Sequence, residues 1–409
     1  MTTDYDIAII GGGMAGASLA CCLLDKSLRI AVIEQIAPGA NLQPSYDDRG
    51  LALTLSSQRL LNAIKVWKDC AERANPIRHI HISDQGKFGL VHLHATELQL
   101  PALGHVVVAR ELGKALLNKI TTHPDIDFIC PATVTSATHT NHSVKLEYNV
   151  DGQLKLLSCK LLVVADGTHS RLREQIGLTV TCKDYGQTAI VANVSTTGHH
   201  HQTAFERFTR KGPLALLPME ENKCVSVYTV PTPDKDFYLG LDESSYLQKL
   251  QHDFGKRLGE MTRVGVRKSY PLQLVLADKQ YTERAILLGN AAHTIHPNGA
   301  QGFNLGLRDA AELAEHIITG MNSRQDPGHI SVLKNYCQSR AQDQARTIRF
   351  TDSVAGLFYN NNPLKAMFRN LGMTALDMSP TLKQEFMRQA TGIVGKQPAL
   401  VRHTIAGSV

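Results

Sequence analysis

Three glycines near the start of the chain have the spacing that lets a protein backbone approach a phosphate. They are Gly11, Gly13 and Gly16, and the carboxylate of Glu34 follows 23 residues after Gly11. Gly11 permits a tight turn, Gly13 lets the backbone approach a pyrophosphate, and Gly16 lets a helix pack closely on a strand. A carboxylate at the position of Glu34 accepts hydrogen bonds from a ribose. This spacing predicts a dinucleotide site without deciding between NAD and FAD.

The segments around this turn have the order strand, turn, helix and strand. Residues 6–10 and 29–33 are short apolar runs of strand length. Between them, Met14 and Ala15 complete the glycine turn as further candidate cofactor contacts, and residues 17–24 have helical composition. The N-terminus of such a helix offers unpaired N–H groups and the positive end of its dipole to a phosphate. The complete unit favours a ligand site over a tight turn that binds nothing.

A second turn follows another buried-strand pattern at residues 161–165. Asp166 and Gly167 come next, and Ser170 stands where a serine caps a following helix. Taken alone, this cluster fits an ordinary strand–turn–helix connection as well as it fits a ligand site.

A third cluster of glycines and small polar residues follows an apolar run at residues 285–288. It opens a helical pattern that continues to about residue 318. Because small residues surround the start of this helix, its N-terminal N–H groups are accessible to an anion. The candidate ligand residues in this cluster are Gly289, Asn290, Pro297, Gln301, Gly302, Phe303 and Asn304.

With these three clusters the sequence resembles the FAD-dependent aromatic hydroxylases of the p-hydroxybenzoate hydroxylase type. Within them it is most similar to the ubiquinone-biosynthesis branch, and there to the ring C1 hydroxylases. The resemblance covers nearly the whole chain. It implies bound FAD, NAD(P)H as a transient co-substrate, and hydroxylation of a polyprenylated phenol by O₂ through an oxygenated flavin.

The resemblance also implies FAD contacts for residues in and beyond the three clusters. It places Arg49 on a loop near the flavin ring, Arg110 at the pyrophosphate, and Val134 on a strand whose backbone reads the adenine. It identifies no catalytic residue. Because the chain has 18 histidines, orienting or packing roles are expected for His293 and His296.

Two positions depart from the family pattern. Asn290 replaces the usual aspartate, as it does in the ring C1 hydroxylases, and it keeps a hydrogen bond to a ribityl hydroxyl without bringing a charge. Ala300 stands where the family has glycine, and the glycine is found one place earlier, at Gly299. We therefore expect the backbone contacts around Ala300 to differ from those of the family.

These patterns predict an α/β protein with a Rossmann-like FAD-binding domain, an inserted antiparallel-sheet substrate domain and a C-terminal helical segment. Only one Gly-x-Gly-x-x-Gly pattern occurs, which argues against a second dinucleotide domain. The expected FAD-binding domain comprises residues 1–75, 101–178 and 270–330, the substrate domain 76–100 and 179–269, and the helical segment 331–409.

Composition limits the class of protein. The 409 residues are 43% hydrophobic and 20% charged, which is typical of a globular chain of two or three domains. A net charge of +6 is too small to indicate nucleic-acid binding. The eight cysteines are scattered, without metal-ligand spacing or a disulfide framework. With no signal peptide or membrane span visible, we expect a cytoplasmic protein.

The C-terminal segment has a basic, amphipathic pattern. The last 64 residues carry eight Lys or Arg against three Asp or Glu, and Asn362 and Pro363 are placed to begin a helix. Its expected apolar face comprises Leu364, Met367, Phe368, Leu371 and Ala375. This face fits packing on the core or on a second subunit. It also fits peripheral contact with an anionic membrane surface or an acidic partner. The family resemblance implies that this contact is with the inner membrane and with other ubiquinone-biosynthesis proteins.

The sequence pattern also fits two other functions. One is an FAD oxidoreductase that reduces a polyprenyl substrate without inserting oxygen. The other is a weakly active flavin-binding scaffold of a biosynthetic complex, which Asn290 and Ala300 slightly favour. Incorporation of ¹⁸O from O₂ distinguishes the hydroxylase from the first, and reduction of bound FAD by NAD(P)H distinguishes it from the second.

Overall fold

The computed structural model describes residues 3–38, 49–358, 363–395 and 397–405. The first ten strands are β1 (Tyr5–Ile10), β2 (Ile30–Ile33), β3 (Gly50–Thr54), β4 (Asn75–Ile77), β5 (His79–Asp84), β6 (Leu90–His94), β7 (Gly104–Val108), β8 (Ile126–Ile129), β9 (Thr133–His139) and β10 (Val144–Val150). The others are β11 (Gln153–Val164), β12 (Val180–Thr196), β13 (Thr203–Phe208), β14 (Pro213–Pro218), β15 (Lys223–Pro231), β16 (Met261–Val264), β17 (Lys268–Ala277), β18 (Tyr281–Thr282), β19 (Ala285–Leu287) and β20 (His293–Thr294).

Eleven α-helices occur in the same ranges. They are α1 (Met14–Cys22), α2 (Leu55–Ala63), α3 (Ala109–Thr121), α4 (Arg171–Gln175), α5 (Lys235–Gly240), α6 (Glu243–Phe254), α7 (Gln301–Asn322), α8 (Ile330–Phe358), α9 (Pro363–Met378), α10 (Pro380–Ala390) and α11 (Ala399–Ile405).

A mainly parallel sheet forms the centre of the molecule, with antiparallel pairings at β18–β19, β10–β11 and β9–β10. Its strand order is β18–β19–β11–β1–β2–β8, and β1 lies in parallel between β11 and β2. Side chains of β1 alternate between two hydrophobic clusters. Ile7 and Ile9 face a cluster that includes α1, α3 and α7, whereas Ala8 and Ile10 face the cluster that includes β10. Because both faces are covered, β1 is apolar at consecutive positions, and the predicted α/β architecture is confirmed.

A second sheet is built from β20, β17, β12, β15, β14, β13, β5 and β6, with β16 paired to β12. Among its described strands only β5 and β13 pair in parallel, and the other pairings are antiparallel. Leu214 and Leu216 of β14 pack toward α6 on one face, while Ala215 and Leu217 line a cavity on the other. The strands β17 and β20 bring parts of the segment predicted for the FAD-binding domain into this sheet. The two predicted domains are therefore interleaved at this point.

The C-terminal helices pack on both parts of the protein. The helix α8 lies against α7, α9 against β6, α10 against α9, and α11 against α2. None of the described helices combines the length and apolar content that a membrane span requires.

The helix α9 begins at Pro363, as the sequence predicts, but it packs through an unexpected face. Ala366, Asn370 and Met373 are buried, and Arg369 is only 9% exposed. Arg369 forms an ion pair with Asp84 at the end of β5, and Asn370 donates to the same carboxylate at 3.0 Å. The helix is therefore attached to the second sheet by polar contacts.

The apolar face expected for α9 points away from the protein. Phe368 is 67% exposed, Leu371 is 51% exposed, and Met367 and Ala375 are exposed as well. The proposed cap Asn362 and the side chain of Leu364 lie outside the described residues. An exposed apolar face of this kind is typical of a contact surface.

Candidate cofactor and substrate site

A cavity of about 2250 Å³ is lined by both sheets and by α8, α9 and α10. One part of its wall contains the three clusters that the sequence singled out, and another contains apolar side chains of the second sheet. Turns that are distant in sequence therefore meet at one elongated space.

The first turn joins β1 to α1 and is sterically fixed by two glycines. Gly11 has a φ of +103°, and a Cβ there would overlap the carbonyl oxygen of Ala165, the residue that follows β11. A Cβ at Gly16 would overlap the carbonyl oxygen of Gly11. Gly13 forms the N-cap of α1, whose first turn contains no acidic residue. The N-terminus of α1 therefore presents free N–H groups and positive potential to the cavity.

Glu34 follows β2 and is held against the same turn. Its Oε2 accepts a hydrogen bond from the Gly12 N–H at 2.7 Å, and its Oε1 accepts one from the Ile36 N–H at 2.8 Å. Each carboxylate oxygen retains a second acceptor position. Since Glu34 also lines the cavity, it is oriented to accept hydrogen bonds from a ligand there.

The second cluster follows β11 and has the predicted strand–turn–helix form. Gly167 has a φ of +94°, and the Ser170 side chain caps α4 by accepting a hydrogen bond from the Arg173 N–H at 3.0 Å. Asp166 and Gly167 both line the cavity, and burial raises the pKa of the Asp166 carboxyl above its ordinary value of 3.8. Val134, at the start of β9, lines the cavity too.

A buried arginine that the sequence analysis did not single out connects the second and third clusters. Arg173 donates to the carbonyl oxygen of Ala291 at 2.9 Å and to that of Thr168 at 3.2 Å. The hydroxyls of Thr168 and Thr294 are 2.8 Å apart. A charged residue in a short helix usually faces solvent, so only the three-dimensional contacts reveal the bridging role of Arg173 in α4.

The third cluster leads into α7, which begins at Gln301 and ends at Asn322, four residues beyond the predicted end. Gly289, Gly299 and Ala300 all have positive φ angles, of +61°, +65° and +53°. Ala300 is the residue before α7, and the first turn of this helix contains no acidic residue. The start of α7 thus faces the cavity through a backbone that only glycine adopts without strain.

Replacing Ala300 with glycine should relieve this strain. We expect Ala300→Gly to raise the free energy of unfolding by about 0.5 kcal/mol, because a left-handed alanine costs roughly 1–2 kcal/mol and the added flexibility of the unfolded chain offsets part of the gain. Urea denaturation of the apoprotein measures this difference. A lower stability than that of the wild type would contradict the assignment of strain to Ala300.

The two histidines of the third cluster are buried and have packing partners. Nε2 of His293 lies 2.6 Å from Oδ2 of Asp309 in α7. His296 packs edge-on against the Tyr185 ring, with the two centroids 4.9 Å apart, and burial lowers its pKa to about 4. Both contacts fit the orienting or packing roles predicted for these residues.

Fifteen of the residues proposed to bind the cofactor line the cavity: Gly11, Gly13, Met14, Ala15, Glu34, Arg49, Val134, Asp166, Gly167, Gly289, Asn290, Pro297, Gln301, Gly302 and Phe303. Three others do not. Gly16 lies beneath the turn, and Arg110 lies 3.6 Å from Glu111. Asn304 is fully buried, where it accepts a hydrogen bond from the Thr54 N–H and donates to the carbonyl oxygen of Ala52. The cavity wall therefore gives no support for direct ligand contact by these three.

The chamber next to these clusters is mainly apolar. Its apolar wall includes Ile80, Ile82, Val91, Leu93, Ala204, Phe208, Ala215, Leu217, Val227 and Leu272. Arg49, the residue before β3, places its guanidinium carbon 5.0 Å from the centre of the Tyr270 ring in the second sheet. Glu206 of β13 is an acidic residue in this wall, and the sequence analysis did not single it out. The chamber fits a large apolar ligand with few polar groups.

Comparison with known proteins gives full-length relatives. The sequence profile described as "FAD binding domain" matches residues 4–351. Ubiquinone hydroxylase UbiL of Rhodospirillum rubrum is 35% identical over 393 residues, which cover 96% of this chain and 91% of the relative. The 3-demethoxyubiquinol 3-hydroxylase of Escherichia coli is 30% identical over 391 residues, covering 95% of this chain and 98% of the relative.

The fold is also similar to solved structures. The p-nitrophenol 4-monooxygenase PnpA from Pseudomonas putida superimposes with a TM-score of 0.81 at 18% identity, covering 97% of this chain and 100% of that one. This structural similarity supports the assignment of the fold. The sequence profile and the two relatives show to which family the chain belongs. The chain belongs to the FAD-binding-domain family of flavin-dependent aromatic monooxygenases.

Proposed function

We propose that this protein hydroxylates the aromatic ring of a polyprenylated phenol in ubiquinone biosynthesis, with NAD(P)H and O₂ as co-substrates. The observation that carries the proposal is the continuity of one cavity from three glycine-containing turns to an apolar chamber. The names of the two relatives, both hydroxylases of ubiquinone or a precursor, favour oxygen insertion over the reductase alternative.

The cavity residues fit FAD. We propose that the N-terminus of α1 binds its pyrophosphate, Glu34 its ribose, and the turn at Asp166 and Gly167 with Asn290 the ribityl chain and flavin. The overlap that a Cβ at Gly11 or Gly16 would create supports a backbone shaped for close approach. FAD, when bound, accepts hydride from NAD(P)H and activates O₂.

The protein's own groups would position the reactants and exclude water. The start of α7 presents N–H groups and positive potential, which stabilise negative charge on a bound ring. The apolar side chains of the second sheet keep the chamber dry. We retain the proposed domain division, in which the glycine turns belong to the FAD-binding domain and this apolar wall, apart from Leu272, belongs to the substrate domain.

An isotope experiment tests the proposed reaction. Purified flavoprotein is incubated with NAD(P)H, a short-chain prenylphenol and ¹⁸O₂, and the products are examined by mass spectrometry. We expect one ¹⁸O atom in the product ring. A product reduced without the label would support the reductase alternative, and flavin that NAD(P)H does not reduce would support the scaffold alternative.

We also propose that the exposed face of α9 contacts a membrane surface. Together with Leu357 of α8, the α9 residues Met367, Phe368 and Leu371 form an apolar rim, and all four side chains are exposed. Leu357 and Phe368 line the cavity as well, so the rim stands at one of its openings. A polyprenyl tail that leaves the bilayer at this point would enter the chamber without crossing water.

The basic charge of the C-terminal segment contributes less to this contact than the sequence indicates. Arg369 is paired with Asp84, Lys383 lies 3.7 Å from Glu97, and Arg402 lies 3.4 Å from Glu315. Acidic groups from other parts of the chain therefore offset much of the local excess. We expect binding to depend mainly on apolar contact and only weakly on ionic strength.

The double substitution Met367→Glu/Leu371→Glu should weaken liposome binding at least about tenfold, since it replaces two exposed apolar side chains with charges. Neither residue lines the cavity, so turnover of a short-chain phenol should be unchanged while turnover of a long-chain substrate falls. Co-sedimentation with liposomes and product assays measure these effects.

A matched control changes two exposed leucines on a distant hairpin, Leu154→Glu/Leu156→Glu. Equal liposome binding by the α9 variant, the hairpin variant and the wild type would contradict the membrane proposal. A change of oligomeric state in the α9 variant alone, seen by size-exclusion chromatography, would instead identify the rim as a subunit contact.

A further inference from the structure

Glu206 lies in the middle of β13, in the sheet wall that closes the chamber. It pairs in register with Ala215 of β14 and Ile82 of β5. Side chains alternate along a strand, and Ala204, Glu206 and Phe208 all line the cavity. The carboxyl group therefore stands on an otherwise apolar face, among Ile82, Ala215 and Phe208.

No hydrogen bond or ion pair to the Glu206 carboxyl occurs within the part of the chain that the structure describes. The charged groups on adjoining elements are engaged elsewhere. Asp84, two residues beyond Ile82 on β5, pairs with Arg369 of α9. Arg207 points to the opposite face and donates to the carbonyl oxygen of Asp253, and Arg49 lies over Tyr270 of β17.

An unpaired carboxyl group on an apolar wall is costly, and proteins retain such groups mainly where a ligand uses them. Burial in this wall raises the pKa of Glu206 to about 7 from an ordinary value of 4.5. A group with this pKa exchanges a proton readily near neutral pH. Glu206 is thus suited to accept a proton from a weakly acidic ligand.

We propose that Glu206 binds the phenolic hydroxyl of the substrate and accepts its proton during hydroxylation; this inference rests on the function proposed above. In that step the phenolic O–H bond breaks, a new O–H bond forms on the carboxylate, and the electron pair stays on the phenolate oxygen. The phenolate donates this electron density to its ring, which makes the ring a better nucleophile toward activated oxygen. No oxidant or reductant beyond NAD(P)H and O₂ is needed.

A phenol is a better match to this wall than a cationic ligand. Its neighbours Ile82, Ala215 and Phe208 are aliphatic or aromatic, and Glu206 offers one acceptor group for one donor. A hydroxylated ring buries its apolar surface against Ile82 and Phe208 and donates a single hydrogen bond to Glu206. A cation would leave its remaining donors unpaired in the same wall.

Binding of a matched pair of probes tests the proposal without turnover. Calorimetry with the flavin-loaded protein compares ortho-allylphenol with its methyl ether, which lacks the hydroxyl donor. At pH 8 we expect the wild type to prefer the phenol by about tenfold or more, because a hydrogen bond to a charged acceptor is lost with the ether. The preference should decrease below pH 7 as Glu206 becomes protonated.

The variant Glu206→Leu should bind both probes with equal affinity, and Glu206→Gln should keep a smaller preference that does not change with pH. Glu221→Gln, on the exposed turn between β14 and β15, serves as the control. An unchanged pH-dependent preference in Glu206→Leu would overturn the proposal. Products without ¹⁸O from the wild type would instead contradict the proposed function, so the two failures are distinguishable.

Thermal unfolding of the apoprotein provides a second readout. The unfolded chain ionises Glu206 near pH 4.5, whereas the folded protein resists ionisation up to about pH 7, so its burial lowers stability progressively as the pH rises between these values. Glu206→Gln removes this cost. We expect its Tm to equal that of the wild type at pH 4.5 and to exceed it by at least about 2 °C at pH 8, and equal Tm values at pH 8 would contradict an unpaired carboxyl at this site.

Discussion

Replacing Gly11 with alanine is expected to abolish flavin binding and to lower the free energy of unfolding by about 2–5 kcal/mol. The added Cβ overlaps the carbonyl oxygen of Ala165, and the φ of +103° is one that alanine rarely adopts. The conformational cost is roughly 1–2 kcal/mol, and overpacking adds roughly 1–3 kcal/mol. Because Ala165 directly follows β11 and its N–H donates to the carbonyl oxygen of Ile10 at 2.7 Å, we expect the turn itself to move. The ratio of flavin to protein absorbance after purification and urea unfolding of the apoprotein measure the two effects.

Gly152→Ala separates the steric overlap from the effect of backbone conformation. Gly152 has a φ of +82° in the β10–β11 hairpin, but no atom lies within 4 Å of its added Cβ. This variant should lose only the conformational contribution of roughly 1–2 kcal/mol and should keep its full flavin content. If Gly11→Ala also purified with a full complement of flavin, the phosphate-turn assignment would be wrong.

The three ligand clusters could be predicted from the sequence because each depends on residues that are close together in the chain. At Gly11 the glycine spacing directly follows β1 and leads into α1, and at Ser170 the cap needs only the amide of Arg173. Glycine and short polar side chains are the residue types that such turns and caps need, so their positions in the sequence predict these features. The meeting of the clusters at one cavity then followed from the resemblance to a known fold, which the structure supports.

The sequence alone could not predict which face of α9 packs on the protein. The sequence placed Arg369 away from the packed side because an isolated basic residue usually faces solvent. Its partner Asp84 is 285 positions away, and no local pattern connects the two. The apolar face therefore faces outward, and the membrane contact proposed for it takes the place of the expected core packing.

Glu206 was missed for a related reason. It stands within an alternating strand pattern, and one acid among apolar residues usually marks the solvent face. Only the second sheet, by placing Ile82 and Ala215 beside it, shows that this face lines the chamber. Arg110 is the opposite case, since its predicted contact with the pyrophosphate is not supported by the cavity lining.

Replacing Asp309 with alanine is expected to cost about 3–5 kcal/mol of stability and to weaken FAD binding at least about tenfold. Asp309 is fully buried in α7, where its Oδ1 accepts a hydrogen bond from Nε of Arg340 at 2.6 Å and its Oδ2 lies 2.6 Å from Nε2 of His293. The substitution leaves the buried Arg340 guanidinium without this partner. It also releases His293, which lies between Asn290 and Pro297 of the cavity wall.

The Asp309 carboxylate also makes the free energy of unfolding depend on pH in the acidic range. Burial alone would raise the pKa of Asp309, but Arg340 and His293 outweigh burial and hold it below the ordinary value of 3.8. The stabilisation is therefore complete above about pH 4 and is lost as the pH falls further. Urea unfolding should show this loss in the wild type, and Asp309→Ala should be less stable at neutral pH and less sensitive to acid.

An exposed ion pair serves as the control that shows whether burial causes the stability loss of Asp309→Ala. Lys256 and Glu260 lie 3.3 Å apart with side chains 80% and 64% exposed, so Glu260→Ala should change the free energy of unfolding by less than about 0.5 kcal/mol and leave flavin binding intact. The stability loss of Asp309→Asn should fall between those of the two alanine variants, because an amide still accepts one hydrogen bond from Arg340 but carries no charge.

Stability losses below about 1 kcal/mol for Asp309→Ala would mean that Asp343, which lies 2.6 Å from Arg340, suffices to stabilise the buried guanidinium. In that case the third cluster would be held mainly by the contacts of Arg173 with Thr168 and Ala291, and flavin binding would respond to Arg173→Ala instead.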